Sequence, residues 1–554
     1  MRASPRYSNA CAAMLTAALA GAAPPAQAQS AAPAAAQEPS FNITSFVVSG
    51  AILPQNEIDA LLAPFTGSQR VFGHIQRAID ALEGVLRSRG LSAVRVFAPE
   101  QTLGSGVVRL AVATASVASI NIEGQAFFDT TNIHAALPSL KIGATPNALD
   151  IAANVRLANE NPARQIDVVL GTGAKDDEIH ARVAVSDSNP KKFTASIDNA
   201  GRDLFGLHRL SFGVQHSNLF NADHGLTARY ITSLEKPELV SIYSFGYRVP
   251  LYRHDASVDV FYVKSTVGIG SSATVAGPLT FTGKGHLLGL RFNQHLARQG
   301  EYTHQLIYGF DYKAFEQTCS LGTFGAAGCG PAAFPVTSHP FSLAYSGGWT
   351  GHARQTNFSV SVAANWAWGH NGFNGHFQAV RPAAAGVAQG GARASFSIFK
   401  GNLSHTEVLP GDLQIRGNLS AQWAPQALIL QEQFGLTGAT AVRGFQEAEF
   451  FSDRGIYGNL ELYGPDWGAK VMSGSGLRLL LFYDVARGYP FRLPGDADQR
   501  LAIASAGFGV RFNIGTNLTL RADYARVTDA RVMNLTSTQV KGDARGHISL
   551  ALTF

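Results

Sequence analysis

Residues 357–368 read NFSVSVAANWAW. Phe358, Val360, Val362, Ala364, Trp366 and Trp368 take one parity, and Asn357, Ser359, Ser361, Ala363 and Asn365 the other. In a strand, successive side chains point to opposite faces, so this segment has an apolar face and a small polar face. It ends in two tryptophans. Apolar-out, polar-in alternation closed by interface aromatics is the pattern of a transmembrane barrel strand. The alternation returns at Leu210, Phe212 and Val214, and at Phe508, Val510 and Phe512 with Arg511 and Asn513 between them.

From Lys192 onward sixteen such segments can be read, starting near 192, 209, 224, 238, 255, 281, 301, 340, 354, 392, 411, 454, 477, 501, 517 and 546. Bacterial barrels need an even number. The long gaps follow odd-numbered segments: 269–280, 318–339, 369–391, 425–453, 490–500 and 529–545. Even-numbered segments mostly end in tight turns such as Leu409-Pro410-Gly411-Asp412 and Gly515-Thr516-Asn517, with 465–476 the exception. Long outer loops and short periplasmic turns are the barrel arrangement. A soluble sandwich also alternates when one face packs a core. Strand number, loop parity and an export signal together favour the membrane.

That signal is at the N-terminus. Arg2 and Arg6 precede an apolar run from Ala10 to Ala23, and Ala26-Gln27-Ala28 is a small-x-small cleavage site. The run is too short for a membrane anchor. Residues 1–28 therefore read as a signal peptide and the Ala/Pro/Gln-rich residues 29–40 as a linker. Two similar units follow, at 41–115 and 116–190, each with the order βααββ. The first has a strand over Phe41–Gly50, a helix near Glu57–Phe65, and a longer helix with Ile75, Ile79, Leu82 and Leu86 on one face. The second has helices near Thr131–Leu137 and Ala148–Ala158, and strands over Gln165–Leu170 and Ile179–Val185. The barrel then occupies 191–554.

Charged residues are 15% of the 554, with 57 Gly and 34 Phe, and the formal charge is only +5. This suits a lipid-facing wall and gives no clustered basic face for nucleic acid. No phosphate loop, zinc-protease motif or nucleophile elbow is present. The reading is therefore no enzyme, no cofactor and no metal. His370 and His376 read as solvated loop residues. Cys319 and Cys329, in a Gly-rich outer loop, read as a disulfide in an oxidising compartment; a metal pair without nearby His is poorer.

The remaining motifs carry a resemblance. Gln431–Gly444 reads QEQFGLTGATAVRG and is followed by Phe445. Phe482-Tyr483-Asp484 lies in a strand whose Arg478, Phe482 and Asp484 oppose Leu477, Leu479, Leu481 and Tyr483, so Asp484 points into the lumen. Ile197-Asp198-Asn199-Ala200-Gly201, Asn218-Leu219-Phe220-Asn221 and Asn161-Pro162-Ala163-Arg164 are shorter matches. Over nearly the whole mature chain, these features resemble the two-partner secretion transporters typified by FhaC and ShlB, in the superfamily that includes BamA. The resemblance implies a mainly β fold, a 16-stranded antiparallel transmembrane barrel preceded by two βααββ POTRA domains. It implies that loop 425–453 is the sixth outer loop, folded back into the lumen with Val442, Arg443, Gly444 and Phe445 at its tip. Arg443 would pair with Asp484, beside Phe482. Thr437 departs from a common Gly, and Ala486 from another.

A guanidinium suits this task because its planar fork matches a carboxylate and it stays charged when buried. Phe554, closing the alternating last strand, looks like the recognition tail of barrel-assembly substrates. Implied partners are a secreted TpsA-like exoprotein, outer-membrane lipid and the barrel-assembly machinery during biogenesis; no nucleotide is implied. Residues 29–40 are short and Pro-containing, unlike the family's plug helix. An assembly factor of the same superfamily and a passive porin are the competing classes. The first usually carries more POTRA domains than two, and the second lacks them.

Overall fold

The structure is a computed structural model. It describes residues 39–554 apart from residue 51, residues 203–204 and the segments 267–268, 275–276, 283, 317–333, 383–390, 494–498 and 534–538. The signal-peptide reading, most of the linker and the Cys319–Cys329 pair therefore lie outside the described residues.

The N-terminal unit contains β1 (Phe41–Ile43), β2 (Ser45–Ser49), α1 (Gln55–Leu62), β3 (Gly67–Arg70), α2 (Phe72–Ser88), β4 (Val94–Phe97) and β5 (Val107–Thr114). The single strand expected over 41–50 is split. β1 pairs with β3, while β2 runs parallel to β5 in a sheet of order β2-β5-β4. Thr44 causes the break: its backbone N–H and its hydroxyl both donate to the Gly106 carbonyl, at 2.7 and 2.8 Å. Gly106 has φ +74, and a Cβ there would sit 3.0 Å from the Thr44 hydroxyl. The expected face of α2, Ile75, Ile79, Leu82 and Leu86, is buried.

A second βααββ module follows: β6 (Ser116–Glu123), α3 (Thr130–Ala136), α4 (Ala148–Ala158), β7 (Arg164–Thr172) and β8 (Glu178–Asp187). Its sheet order is β6-β8-β7, with β6 and β8 parallel. Asp129 starts α3, its carboxylate accepting from the Asn132 N–H at 2.8 Å. Phe128, Ile133, Leu137, Ile151, Ile166 and Val183 form its core.

The barrel begins with β9 (Lys191–Asp198), β10 (Arg209–Leu219), β11 (His224–Ser233), β12 (Ser241–Leu251) and β13 (Ala256–Ser265). A loop hairpin, β14 (Ile269–Thr274) and β15 (Gly277–Thr282), precedes β16 (Gly285–His295) and β17 (Tyr302–Phe315). β18 (Val336–Ser338) and β19 (Phe341–Thr350) both pair with β17 and form one strand position, interrupted at His339-Pro340 because proline cannot donate to the ladder. The wall continues with β20 (Arg354–Asn365), β21 (Phe396–Leu409) and β22 (Leu413–Trp423). The loop after β22 holds β23 (Phe434–Gly435) and β24 (Phe451–Ser452). Last come β25 (Arg454–Tyr463), β26 (Ser475–Tyr489), β27 (Arg500–Ile514), β28 (Leu518–Met533) and β29 (Ala544–Thr553). β29 pairs with β9 and closes the ring at sixteen strand positions, all antiparallel.

Along β26 the two parities separate fully. Leu481 is 62% exposed and Tyr483 49%, whereas Phe482 is 5% and Asp484 0%. An apolar row left bare on the outside, with the polar groups buried inside, is a wall made for lipid. No described helix is long and apolar enough to cross a membrane.

At the seam, Asn199 of the IDNAG stretch continues the pairing beyond β9. Its N–H and side-chain amide donate to the carbonyls of Ile548 and Gly546 at 3.2 and 2.8 Å, and its Oδ1 accepts from the Ile548 N–H. Phe554 exchanges two backbone hydrogen bonds with Phe193, 3.0 and 2.8 Å long, and its ring is exposed.

Candidate functional site

Loop 424–453 turns back inside the cylinder, and Arg443 is brought to Asp484. The Arg443 Nε and Nη2 donate to Asp484 Oδ2 and Oδ1 at 2.8 Å each, and the Arg443 backbone N–H adds a third bond to Oδ2 at 3.1 Å. The guanidinium lies 3.5 Å above the Phe482 ring centroid, a cation–π contact. Its third nitrogen, Nη1, donates to Glu461 Oε1 at 2.8 Å and stands 3.6 Å from Asp523. Both side chains are almost fully buried.

The loop tip is shaped to deliver that arginine. Gly444 has φ +92, left-handed backbone that glycine adopts without strain. Its N–H donates to His547 Nε2 at 3.1 Å. Val442 and Phe445 are fully buried in an apolar cluster with Leu436, Phe450, Ala486, Leu501, Ile503 and Val527. Thr437, the departure from glycine, is used: its hydroxyl accepts from the N–H groups of Glu449 and Phe450, at 2.8 and 3.1 Å. Ala486 packs in the same cluster, where a small residue leaves room for the loop.

Sequence reading did not single out Glu461, Asp523, Arg511 or Asn459. Asn459 donates to Asp484 Oδ1 at 2.9 Å and to the Ala441 carbonyl at 2.6 Å, so it bridges wall and loop. Arg511 forms a fork with Asp523 at 2.7 and 3.0 Å. Their lumen-facing parity was readable, but the loop residue each would meet was not. Beside the lock lies a polar-lined cavity of about 440 Å³, bordered by Arg443, Asn459, Glu461, Arg478 and Arg511, large enough to hold water.

The roots of the loop are fixed separately. Glu432 accepts from Lys313 Nζ at 2.8 Å and from the Ser338 hydroxyl at 2.9 Å. Asp453, fully buried, takes a fork from Arg381 at 2.6 and 3.1 Å and the N–H groups of Leu428 and Phe491. Arg381 follows α5 (Asn374–Val380), a helix inside the stretch read as a solvated Gly/Asn-rich loop. Phe377 of α5 is fully buried against Val336, Phe396, Leu428 and Ile429. His370 is exposed and His376 half-buried on that helix.

A lumen occupied by an arginine-pinned loop, in a sixteen-strand barrel preceded by βααββ modules, defines an outer-membrane transporter with periplasmic POTRA domains. The family model of the haemolysin secretion/activation proteins ShlB, FhaC and HecB matches residues 177–320 and 336–512, more than half of the chain. The chain belongs to that family of two-partner secretion transporters. A ShlB-type POTRA domain is matched at 41–114. The chain is 25% identical over 186 residues to the outer membrane transporter CdiB of Escherichia coli, covering 33% of this chain and 31% of CdiB. It thus spans about a third of that relative's length. It is 20% identical over 499 residues to the heme/hemopexin transporter protein HuxB of Haemophilus influenzae, covering 86% and 82%. The solved structure of CdiB from Escherichia coli shares the fold, with a TM-score of 0.72 at 18% identity over 94% of this chain and 92% of that one.

Proposed function

We propose that this chain passes one unfolded exoprotein from periplasm to cell surface, and that Arg443 and Asp484 lock the sixth loop in the resting barrel. The observation carrying this reading is the three-bond Arg443–Asp484 fork on a loop folded into the lumen. A chain can thread only if the loop shifts, so a discrete and breakable pin is what such a path needs. Val442, Gly444, Phe445 and Phe482 set the tip and its seat. α5 and the Arg381–Asp453 fork hold a second part of the lumen contents, so transport must displace or pass both.

The client would be received by backbone pairing. Among the described strands, β6 and β7 each have one neighbour, leaving outer edges open to an extended peptide. Client folding outside gives direction without nucleotide. The client would be a haemolysin, an adhesin or a contact-dependent toxin; a gene for a large repetitive exoprotein beside this one would decide. The apolar outer parity takes outer-membrane lipid as its partner, and the exposed Phe554 is offered to the barrel-assembly machinery. The domains are proposed as leader 1–28, linker 29–40, POTRA domains 41–115 and 116–190, and barrel 191–554.

Secretion by cells carrying Arg443→Ala tests the lock: export should fall at least about tenfold with barrel insertion intact. Undiminished export would refute it. Depletion separates the competing class, because general loss of outer-membrane proteins points to an assembly factor and loss of one exoprotein to secretion.

A further inference from the structure

Two of the short motifs meet. Asn161-Pro162-Ala163-Arg164 ends the turn before β7, and Asn218–Asn221 opens the turn between β10 and β11. Arg164 is fully buried, and its guanidinium forks Asp223, with Nη2 to Oδ2 at 2.8 Å and Nη1 to Oδ1 at 3.1 Å. Nη1 also donates to Asn132 Oδ1, and the group lies 5.1 Å from the Phe128 ring centroid. Asp223 sits at φ +58, held by the Asn218 side chain, which accepts from its N–H at 3.1 Å.

Around this pair the module grips three successive turns of the barrel. On the first, Asn161 donates to the Ser217 carbonyl at 2.8 Å, and Asn221 donates to Asp129 at 2.7 Å. On the second, Asn154 donates to the Tyr252 carbonyl at 3.0 Å, Arg164 Nη2 to the Tyr252 hydroxyl at 3.4 Å, and Arg156 pairs with Asp255; within the barrel, that hydroxyl donates to Asp223 Oδ2 at 2.5 Å. On the third, Arg156 donates to the Leu296 carbonyl at 3.1 Å. Burial, with the neighbouring Asp223 charge, pushes the Tyr252 phenol up, so its proton stays in place as a donor. A buried arginine–aspartate fork braced by amides and a phenol is held in one geometry, because leaving either charge without the other is costly.

We infer that Arg164 is a positioning residue for export, fixing the second POTRA module over the periplasmic mouth through Asp223 so that a client leaving the module enters the lumen. This rests on the export reading. The wall strands β10 to β13 are complete without the contact, so the module could otherwise swing on the short connection 188–190. A hinge of that kind would leave the client to find the mouth by diffusion.

The test uses the full-length protein with Cys11, Cys319 and Cys329 replaced by Ser. Spin labels on β8 and on the turn at Gly300 report the distance between module and barrel. Arg164→Lys keeps the charge and loses the fork; it should broaden the distance distribution and lower export about fivefold or more at unchanged barrel level. A second variant, Arg164→Ala with Asp129→Cys and Asn221→Cys, adds a disulfide staple across the junction. Export should return to within about twofold of the parent when oxidised and fall again on reduction. A narrow distribution in Arg164→Lys, or full export despite a broad one, overturns the inference. So does a formed staple that leaves export lost. The distance measurement needs no client, so failure of the export reading would show as a broadened junction in a protein that secretes nothing.

Discussion

Arg443–Asp484 and Arg164–Asp223 are the same device in two settings. Each is a buried arginine fork with an aromatic ring beside the guanidinium. Their surroundings differ. In the lumen, Arg443 and Arg511 face Asp484, Glu461 and Asp523 beside a cavity of about 440 Å³ that Arg416, Arg478 and Arg521 also border. At the junction Arg164 meets Asp223 with amides and a phenol beside them, and the pairs Arg156–Asp255 and Arg248–Glu160 lie further out. Breaking the lumen pair exposes carboxylates that repel one another but can be hydrated. Breaking the junction pair leaves Asp223 almost fully buried beside a cavity of about 400 Å³ that it shares with Glu160, Arg248 and Tyr252. The lumen pair pins one loop inside the barrel, whereas the junction pair ties a whole module to it.

The largest effect on stability should therefore come from the junction. Arg164→Met leaves Asp223 buried and unpaired and should cost about 3–5 kcal/mol, read as early unfolding or proteolytic release of the POTRA module. Arg443→Ala should cost less, because Arg511 remains beside Glu461 and Asp523. The comparison collapses if calorimetry finds the reverse order. Removing one acid should sharpen it: in Arg443→Ala, adding Asp484→Asn relieves repulsion and should restore about 1 kcal/mol, a coupling that a double-mutant cycle measures. The corresponding addition of Asp223→Asn at the junction should relieve the stranded charge more strongly.

The smallest effect concerns Glu160, at the same junction and paired with Arg248. Burial raises its carboxyl above the ordinary range, against the lowering pull of Arg248. A raised acid is destabilised in its ionised form, so its contribution is best at low pH and lost as pH rises through the folded value. Glu160→Gln should change stability at neutral pH by less than about 0.5 kcal/mol and flatten the dependence just above pH 4.5. A large loss at neutral pH would mean that Glu160 belongs with Asp223 as a required charge.

What could be read from the sequence follows from how local each signal is. Alternation is local, and so the strands and the lumen parity of Asp484 were visible. The loop tip was visible because Val442-Arg443-Gly444-Phe445 is contiguous. Glu461, Asn459 and Asp523 looked like any other inward polar residue, since their meaning depends on a loop arriving from another part of the chain. Asn132 and Asp223 carried no signal of their own, because they meet each other only across the fold, 91 positions apart. α5 was missed for a different reason: glycines and asparagines flank Phe377 and hide a helix that exists by virtue of its burial.

The seam has a kinetic consequence. Asp198 pairs with Ser549, so the ring shuts between residues some 350 positions apart, and contacts of such separation form late because their chain entropy is lost first. Until then the nascent sheet carries two raw borders, each a template for sticking to other chains. The finishing stitch of this cylinder is thus its slowest and most vulnerable moment, and a catalyst that shelters both borders would speed biogenesis more than any gain in the stability of the finished wall.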